Sequence, residues 1–255
     1  MTTRDIFFLS THSMYWVILS LVVLLVVVIL LRPRVVCSMT TIPERLSLLP
    51  RTLESLRRQT RPPDIVYIHV ARETLSGTPY DLEALRALPN VRINVVPRDL
   101  GPITKVVPVE NLVRPWDRVV LIDDDVVYQP TMIQGLLDTG LPAVGYAGRK
   151  NLEWLPGYTI NERVEADFLE SYAGAMYRGS VLKGLGAFNA SLGGTCLMQD
   201  DIKIGKFLKL GGVSRIIVPT KTYCVHDPAG TPQLKDQNCE GPGNSECFRK
   251  LFRDS

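Results

Sequence analysis

Arg118-Val-Val-Leu-Ile-Asp-Asp-Asp-Val-Val127 is an apolar run that ends abruptly in three adjacent acids. The aliphatic residues from Val119 to Ile122 predict a strand buried on both faces, as in a parallel sheet. Asp123, Asp124 and Asp125 repel one another at its end and are costly to bury. A divalent cation, Mn²⁺ or Mg²⁺, would offset this repulsion, because it prefers carboxylate and phosphate oxygens. The alternative is an exposed acidic turn that caps the next helix.

The composition is that of an ordinary globular protein. The 255 residues have room for one α/β domain or two small ones, and 45% are hydrophobic. A net charge of +3 without a Lys/Arg block argues against nucleic acid as a partner. The five cysteines contain no C-x-x-C pair, so a zinc site is not expected. Cys239 and Cys247 could form a disulfide in an oxidising compartment.

The amino-terminal region contains a second strong signal. The 18 positions from Met14 to Leu31 carry no charge, which is near the length that a helix needs to cross a bilayer. A cleaved signal peptide would have a shorter apolar core and a small-residue cleavage site, and neither is evident. We therefore predict a tail over 1–13, an uncleaved transmembrane signal-anchor over 14–31 and a globular domain over 34–255.

Within the domain, predicted strands alternate with predicted helices. This alternation is typical of βαβ units and of a mostly parallel sheet in an α/β fold. The predicted strands cover 35–39, 65–70, 91–96, 119–122, 143–146 and 171–177. The predicted helices cover 46–56, 81–88, 130–137 and part of 198–210, and a loop is expected over 151–161.

Two polar groups in the second half are candidates for a functional role. Asp200 and Asp201 open the predicted helix within 198–210, where the helix dipole favours acids. Capping of the helix explains one of them, and the other is then available for a functional role. His226 is a candidate metal ligand only if the fold brings it to the three acids after the apolar run.

Five motifs in order resemble a GT-A glycosyltransferase. They are Thr-Ile-Pro-Glu-Arg45, Asp99-x-Gly-Pro-x-x-Lys105, Leu-Ile-Asp-Asp-Asp125, Tyr-Ala-Gly-Ala175 and Gln-Asp-Asp-Ile202. The chain is similar to family-2-like enzymes and, in its second half, to the exostosin C-terminal domain. The resemblance implies a Rossmann-like, mostly parallel sheet with flanking helices over nearly all of the chain after the anchor.

The resemblance implies a site for a nucleotide sugar. Asp123 and Asp125 match the DXD motif, which contacts the ribose and the metal–diphosphate group in that fold. The donor-binding residues that it implies are Thr41, Arg45, Asp99, Lys105, Asp123, Asp124, Gly174 and Ala175. It assigns Mn²⁺ (or Mg²⁺) to Asp123, Asp125 and His226.

On the acceptor side, Asp201 falls at the aspartate of the family's ED motif. Gln-Asp-Asp replaces Glu-Asp here, so Asp200 stays a second catalytic candidate. An inverting reaction needs one carboxylate to take the proton of the acceptor hydroxyl, whereas an exostosin-like reaction would be retaining. Trp154 and Tyr158 could offer an acceptor a flat apolar face, or serve in the core or in a lid.

The expected function is metal-dependent transfer of a sugar from a nucleotide-diphosphate donor, a UDP-sugar. The acceptor would be a hydroxyl of a glycan, glycoprotein or lipid. One alternative is a sugar nucleotidylyltransferase, although the Gly-rich pyrophosphate loop of those enzymes is absent. The other alternative is a non-catalytic, membrane-tethered sugar-nucleotide or glycan-binding module.

The expected location is the Golgi or ER membrane, as a type II single-pass protein with a lumenal catalytic domain. This follows the plan of secretory-pathway transferases, and two features agree with it. Asn189-Ala-Ser191 is a glycosylation acceptor sequence, and Cys239 and Cys247 could pair if oxidised. Arg32 and Arg34 favour the alternative, a domain that faces the cytosol.

Overall fold

A computed structural model describes the backbone of residues 3–221, 224–226 and 242–253. Within these ranges it describes the side chains of residues 14–28, 31–221 and 243–253. The chain divides into two compact units, Met1–Pro33 and Arg34–Ser255.

The first unit contains helix α1 (Thr3–Leu31). Its described side chains from Met14 to Val28 are exposed and almost all apolar. In the part of the chain that the structure describes, no helix is long and apolar enough to qualify as a membrane span. The anchor predicted over 14–31 therefore has no support from the structure.

The second unit is an α/β domain. Its strands, in chain order, are β1 (Val35–Thr40), β2 (Ile65–Val70), β3 (Arg92–Val95), β4 (Arg118–Leu121), β5 (Val126–Tyr128), β6 (Ala143–Gly145), β7 (Ala147–Lys150), β8 (Glu153–Pro156), β9 (Val164–Ala166), β10 (Phe168–Leu169), β11 (Ala175–Arg178), β12 (Arg215–Ile217) and β13 (Cys224–His226). Its helices are α2 (Leu49–Arg57), α3 (Leu82–Arg86), α4 (Met132–Asp138), α5 (Leu185–Ser191), α6 (Asp200–Leu210) and α7 (Pro242–Phe248), with a final π-helical turn at Arg249–Arg253.

Eight strands form the central sheet in the order β3-β2-β1-β4-β11-β6-β12-β9. The pairs β3–β2, β2–β1, β1–β4 and β6–β12 are parallel, whereas β11 is antiparallel to both of its neighbours. A three-stranded sheet (β10-β7-β8) and the β13–β5 pair complete the domain. The prediction of an α/β fold with a mostly parallel central sheet is confirmed.

β4 lies in the middle of this sheet and is buried on both faces. Val120 and Ile122 belong to one hydrophobic core cluster, and Val119 and Leu121 belong to the other. Alternate residues of a strand point to opposite faces, so each face of β4 supplies a different core. The prediction of a doubly buried strand is confirmed, and it places the three acids at the carboxyl end of the sheet.

The prediction of a loop over 151–161 is wrong, because β7 and β8 form a hairpin there. Asn151 and Leu152 both have positive φ, 51° and 69°, between Lys150 and Glu153, which pair with each other. Two central residues with positive φ make the tight hairpin turn that Asn-Gly usually signals. The sequence did not predict this turn because leucine, not glycine, occupies its second position. The hairpin places Trp154 on β8.

The disulfide joins Cys196 to Cys247 with a Cα–Cα distance of 5.4 Å. The suggested pairing of Cys247 with Cys239 is therefore wrong, and Cys239 itself lies outside the described residues. Helix α7 carries Cys247 into an apolar cluster with Phe168 and Ile202. This packing brings the carboxyl-terminal segment to the loop before α6, which the spacing of the cysteines could not reveal.

Candidate active site

Asp123, Asp124 and Asp125 follow β4 in a turn, here called the acidic turn, which neighbouring side chains fix in place. The backbone N–H of Asp123 donates a hydrogen bond to the hydroxyl of Tyr128 (2.9 Å). The Thr52 hydroxyl donates to the backbone carbonyl of Asp124 (2.9 Å). Because Tyr128 lies on β5 and Thr52 on α2, two elements hold the backbone of the acidic turn.

Arg45 joins two of the acids. One nitrogen of its guanidinium lies 3.0 Å from Asp124 and 3.2 Å from Asp125. The Thr41 hydroxyl donates to Asp124 at 2.7 Å. Burial nevertheless raises the pKa of Asp124 to about 6, against the lowering effect of Arg45 and Thr41. Burial also raises the pKa of Asp125.

Lys105 connects the third acid to α6. Its ammonium lies 2.7 Å from Asp123 and 3.0 Å from Asp200, and its side chain is almost fully buried. Burial by itself would lower the pKa of Lys105, but the charges of Asp123 and Asp200 outweigh it and raise the pKa well above its usual value. Lys105 is therefore a fixed cation between the donor-side and acceptor-side acids that the sequence predicted.

Asp200 does not cap α6, contrary to the expectation that capping accounts for one of the two aspartates. The N-cap is Gln199, which makes no side-chain cap hydrogen bond, and Asp200 is the first helical residue. Its buried Oδ2 is the atom that faces Lys105. Among the described residues no donor makes a hydrogen bond to this oxygen, and its contact with the Lys105 ammonium at 3.0 Å is an ion pair. Asp200 thus acts as the counter-ion of Lys105.

Asp201 is held by Ser171. The Ser171 hydroxyl donates to Asp201 at 2.6 Å, and the Ser171 backbone N–H lies 3.3 Å from both carboxylate oxygens. Burial, followed by the adjacent charge of Asp200, raises the pKa of Asp201 well above its usual value. Asp201 is thus an oriented carboxylate, and its contact with an acceptor stays a prediction.

Asp99 braces the loop that leads to Lys105. Its carboxylate accepts hydrogen bonds from the backbone N–H groups of Gly101 (2.8 Å) and Leu75 (3.1 Å) and from the Thr104 hydroxyl (3.2 Å). These bonds hold both oxygens within the protein. Asp99 therefore supports the predicted donor loop, and a direct contact with a donor stays a prediction.

Gly174 follows the 3-10 turn Ser171–Ala173, and Ala175 begins β11, the strand beside β4. Ala175 pairs with Leu121 in the antiparallel register, so Gly174 lies level with Ile122, the residue before the three acids. Gly174 has φ 85°, and a Cβ there would lie 2.8 Å from the sulfur of Met132. Both the positive φ and the close packing require glycine. Contact of Gly174 and Ala175 with a donor sugar stays a prediction.

Trp154 and Tyr158 are exposed aromatic residues in edge-to-face contact, with ring centroids 6.1 Å apart. The Trp154 indole N–H donates to Glu170 at 3.0 Å, and Arg149 pairs with the other oxygen of Glu170 at 2.8 Å. Burial raises the pKa of Glu170, and the charge of Asp123 contributes. Glu170 thus holds Trp154, and Glu170 is itself close enough to the acidic turn for the charge of Asp123 to raise its pKa.

The backbone of His226 lies next to the acidic turn. β13 is antiparallel to β5, and His226 pairs with Val126, the residue after Asp125. The side chain of His226 lies outside the description. The condition set by the sequence analysis, that His226 comes near the acids, is therefore met by the backbone register, and ligation by its ring stays a prediction.

The oxygen chemistry of the acidic turn fits a hard divalent cation. Asp123 and Asp125 keep 30% and 19% of their side-chain surfaces exposed, so an ion and a phosphate group from solvent can reach them. In the described part of the chain no group of three or more His, Cys, Asp and Glu residues is arranged to hold a metal. Both carboxylates are instead paired with Arg45 or Lys105.

Three supporting hydroxyl groups escaped the sequence analysis. Ser171 orients Asp201, Thr52 holds the acidic turn, and the Tyr80 hydroxyl donates to the backbone carbonyl of Thr41 (2.7 Å). Each acts on a residue at least 30 positions away. Buried hydroxyl groups leave no periodic pattern, so their partners become visible only in the folded chain.

The acids, the lysine and the arginine lie at the carboxyl edge of a mostly parallel sheet, which is where ligands bind in open α/β folds. Comparison with known families gives a narrower identification. The family model "Glycosyltransferase like family 2" matches residues 33–160, just over half of the chain. The chain belongs to this family of glycosyltransferases.

Solved structures agree with this fold. A structure of S. aureus TarS is similar with a TM-score of 0.56 and 14% identity, covering 86% of this chain and 39% of that one. S. aureus TarS 1-349 in complex with UDP is similar with a TM-score of 0.51 and 13% identity, covering 86% and 70%. The chain thus spans only part of each TarS chain. At these identities the likeness shows the fold alone.

Other comparisons are negative or weak. No curated protein matches the chain in sequence. A 4-diphosphocytidyl-2C-methyl-D-erythritol synthase has a TM-score of 0.49 and 10% identity, covering 77% of this chain and 95% of that one, which is too low to support a function. The family model ends at residue 160. The exostosin-like resemblance predicted for the second half has no support from these comparisons.

Proposed function

We propose that the domain transfers a sugar from a UDP-sugar to an acceptor hydroxyl. The observation that carries this proposal is the cluster at the carboxyl end of β4. There Arg45 and Lys105 connect the acidic turn to the loop after β1 and to the amino end of α6. Family membership supports sugar transfer, and the similarity to a TarS structure in complex with UDP supports the choice of nucleotide.

On the donor side, Thr41 and Asp124 would contact the nucleoside, and Asp123 and Asp125 would hold Mn²⁺ or Mg²⁺ with the diphosphate. When bound, the cation would neutralise charge on the leaving diphosphate. Arg45 and Lys105 already lie within 3.2 Å of these acids. Their charges would turn toward the phosphate oxygens and stabilise the negative charge that develops on them.

On the acceptor side, Asp201 would act as the general base. The acceptor oxygen forms a bond to the anomeric carbon as the bond from that carbon to the β-phosphate oxygen breaks. The proton of the acceptor goes to Asp201, and the electron pair of the broken bond leaves with UDP. Such a single displacement inverts the anomeric carbon. Burial and the charge of Asp200 raise the pKa of Asp201, which makes its carboxylate a stronger base than that of an ordinary aspartate.

The experiment is a screen of UDP-sugars with the purified domain over 34–255, measuring UDP release with Mn²⁺, with Mg²⁺ and with EDTA. We expect release from one sugar class that depends on the cation. Asp117→Asn serves as a matched control, since Asp117 is a buried aspartate at the opposite end of β4. Release of pyrophosphate from UTP and a sugar phosphate would instead identify a nucleotidylyltransferase. Binding of UDP-sugars without turnover of any would identify a binding module.

A lumenal location, with an anchor over residues 14–31, stays a proposal. The Cys196–Cys247 disulfide supports an oxidising compartment. The acceptor sequence at Asn189 gives less support than expected, because the Asn189 side chain lies at the end of α5 and accepts a hydrogen bond from the buried Lys203 (3.1 Å). Protease treatment of sealed microsomes tests the proposal. Digestion of a carboxyl-terminal tag without detergent would place the domain in the cytosol.

A further inference from the structure

Three polar residues lie in a row across the first half of the sheet, where apolar residues are expected. Ser38 is on β1, His69 on β2 and Asn94 on β3, which are adjacent strands. Ser38 and His69 have no exposed surface, and Asn94 is partly buried. Central parallel strands usually consist of continuous apolar runs, and an unpaired buried polar group costs about 1–3 kcal/mol. The row therefore needs a physical reason.

The hydrogen bonds of this row have one direction. The Ser38 hydroxyl donates to the backbone carbonyl of Lys105 (2.5 Å), because a carbonyl can only accept. The single proton of Ser38 is then in use, so His69 Nε2, 2.9 Å from the Ser38 oxygen, must donate to it. His69 Nδ1 accepts from the amide of Asn94 at 2.9 Å. Each residue thus donates to the next, from β3 to Lys105.

This direction excludes Ser38 as a nucleophile, although serine and histidine at such a distance also occur in nucleophilic sites. A catalytic histidine accepts the serine proton, whereas His69 donates to Ser38. Burial lowers the pKa of His69 to about 4, so the ring stays neutral at pH 7 and keeps one proton. The row ends on a backbone atom and does not open to a substrate.

We infer that Ser38, His69 and Asn94 form a positioning network for the catalytic-site cation Lys105. Lys105 ends a short 3-10 turn, Ile103–Lys105, and its ammonium bridges the donor-side and acceptor-side acids. Fixing the Lys105 carbonyl fixes its Cα relative to β1, and this sets the direction of the side chain. Asp99 braces the start of the same turn through Gly101 and Thr104. The turn is thus held at both ends.

The first test measures the position of Lys105 without any substrate. The full chain is treated with an amine-acylating reagent, and the acylation rate of Lys105 is followed by mass spectrometry. Ser38→Ala should raise this rate about fivefold, the equivalent of one lost hydrogen bond. Asn94→Ala should raise it less. Thermal melts in parallel show whether each variant is folded, and Asn94→Ala carries the test if Ser38→Ala does not fold.

Thr40→Val is the matched control. The Thr40 hydroxyl also links β1 to β2, since it donates to the backbone carbonyl of His69 (2.7 Å), but it has no hydrogen bond to Lys105. Its removal should leave the acylation rate of Lys105 unchanged. Equal increases in Ser38→Ala and Thr40→Val would reduce the network to general stabilisation of the strands and overturn the inference.

The second test rests on the proposed function and uses the UDP release assay. Ser38→Ala should lower kcat about fivefold in the wild-type background and have no further effect in a Lys105→Gln background. Equal reductions in both backgrounds would contradict positioning through Lys105. If no UDP-sugar is turned over, the proposed function fails while the acylation test still decides on the network. An unchanged Lys105 acylation rate in both network variants overturns the network whatever the turnover.

Discussion

The two ends of strand β4 use the same chemistry for opposite purposes. Asp117, just before the strand, is fully buried and is bonded by both Arg34 and Arg114. Asp124, just after it, is also buried but shares Arg45 with Asp125. Burial would raise both pKa values. The two arginines reverse this effect and lower the pKa of Asp117 to about 2, whereas the pKa of Asp124 rises to about 6.

The difference lies in the ratio of cations to acids. At the amino end two arginines serve one aspartate, so the charge is fully compensated and the site is structural. At the carboxyl end Arg45 and Lys105 serve the acidic turn and Asp200. Excess negative charge therefore remains at that edge, where nucleotide ligands bind in open α/β sheets. A divalent cation would reduce this excess.

The largest effect should come from Asp125→Asn. We expect UDP release to fall by more than about 100-fold, because a cation bound with the donor diphosphate would lose a charged ligand. The melting temperature should change little, since the substitution relieves repulsion within the acidic turn. Asp117→Asn, measured in the same assay well below its melting temperature, should keep near-normal turnover. Full activity of Asp125→Asn in EDTA would exclude the metal site.

The next largest effect should separate the two aspartates of α6. Asp201→Asn should lower kcat roughly 100-fold with little change in donor affinity, as expected for loss of a general base. Asp200→Asn should lower kcat roughly tenfold, because Lys105 loses one of its two ion-pair partners. Steady-state kinetics with varied donor and acceptor measure both. The reverse ranking would transfer the role of general base to Asp200.

A third test uses unfolding free energies, in which the two ends of β4 should respond with opposite sign. Asp117 has a lowered pKa, so its stabilisation of about 2 kcal/mol is present above about pH 4 and is lost as the pH falls through about 2. Asp124 has a raised pKa, so the stability that it contributes at pH 4 is lost as the pH rises through about 6.

Denaturant titrations of both asparagine variants between pH 3 and pH 8 measure this contrast. At pH 7, Asp117→Asn should be less stable than the wild type, by about 2 kcal/mol. Asp124→Asn should be no less stable than the wild type and should lose the decline in stability between pH 4 and pH 6. Equal destabilisation by the two variants at pH 7 would show that the carboxyl end is compensated in the same way as the amino end.

The smallest effect should come from Trp154→Phe. The variant loses the hydrogen bond to Glu170, and we expect the acceptor KM to rise by roughly threefold to tenfold with kcat nearly unchanged. Trp116→Phe is the control, since Trp116 is similarly exposed and stacks on Arg114 beside Asp117. An acceptor KM that changes equally in both variants would remove Trp154 from the acceptor site.

The sequence predicted the features that depend on local pattern and on order along the chain. The apolar run before the acids predicted β4, and the alternation of elements predicted the sheet. The Asn151–Leu152 hairpin was missed because its turn lacks the usual glycine. The Cys196–Cys247 disulfide and the contact of Ser171 with Asp201 connect residues that are distant in sequence, so only the packing of α6 and α7 reveals them.

Calorimetric titration of the domain with UDP tests most directly that the uncompensated end of β4 is the nucleotide site. The titration is made with Mn²⁺ and with EDTA, on the wild type, Asp125→Asn and Asp117→Asn. We predict that UDP binds to the wild type and to Asp117→Asn only when Mn²⁺ is present, and that binding to Asp125→Asn is lost. Binding of UDP to Asp125→Asn with wild-type affinity, or equal binding in EDTA, would contradict the account.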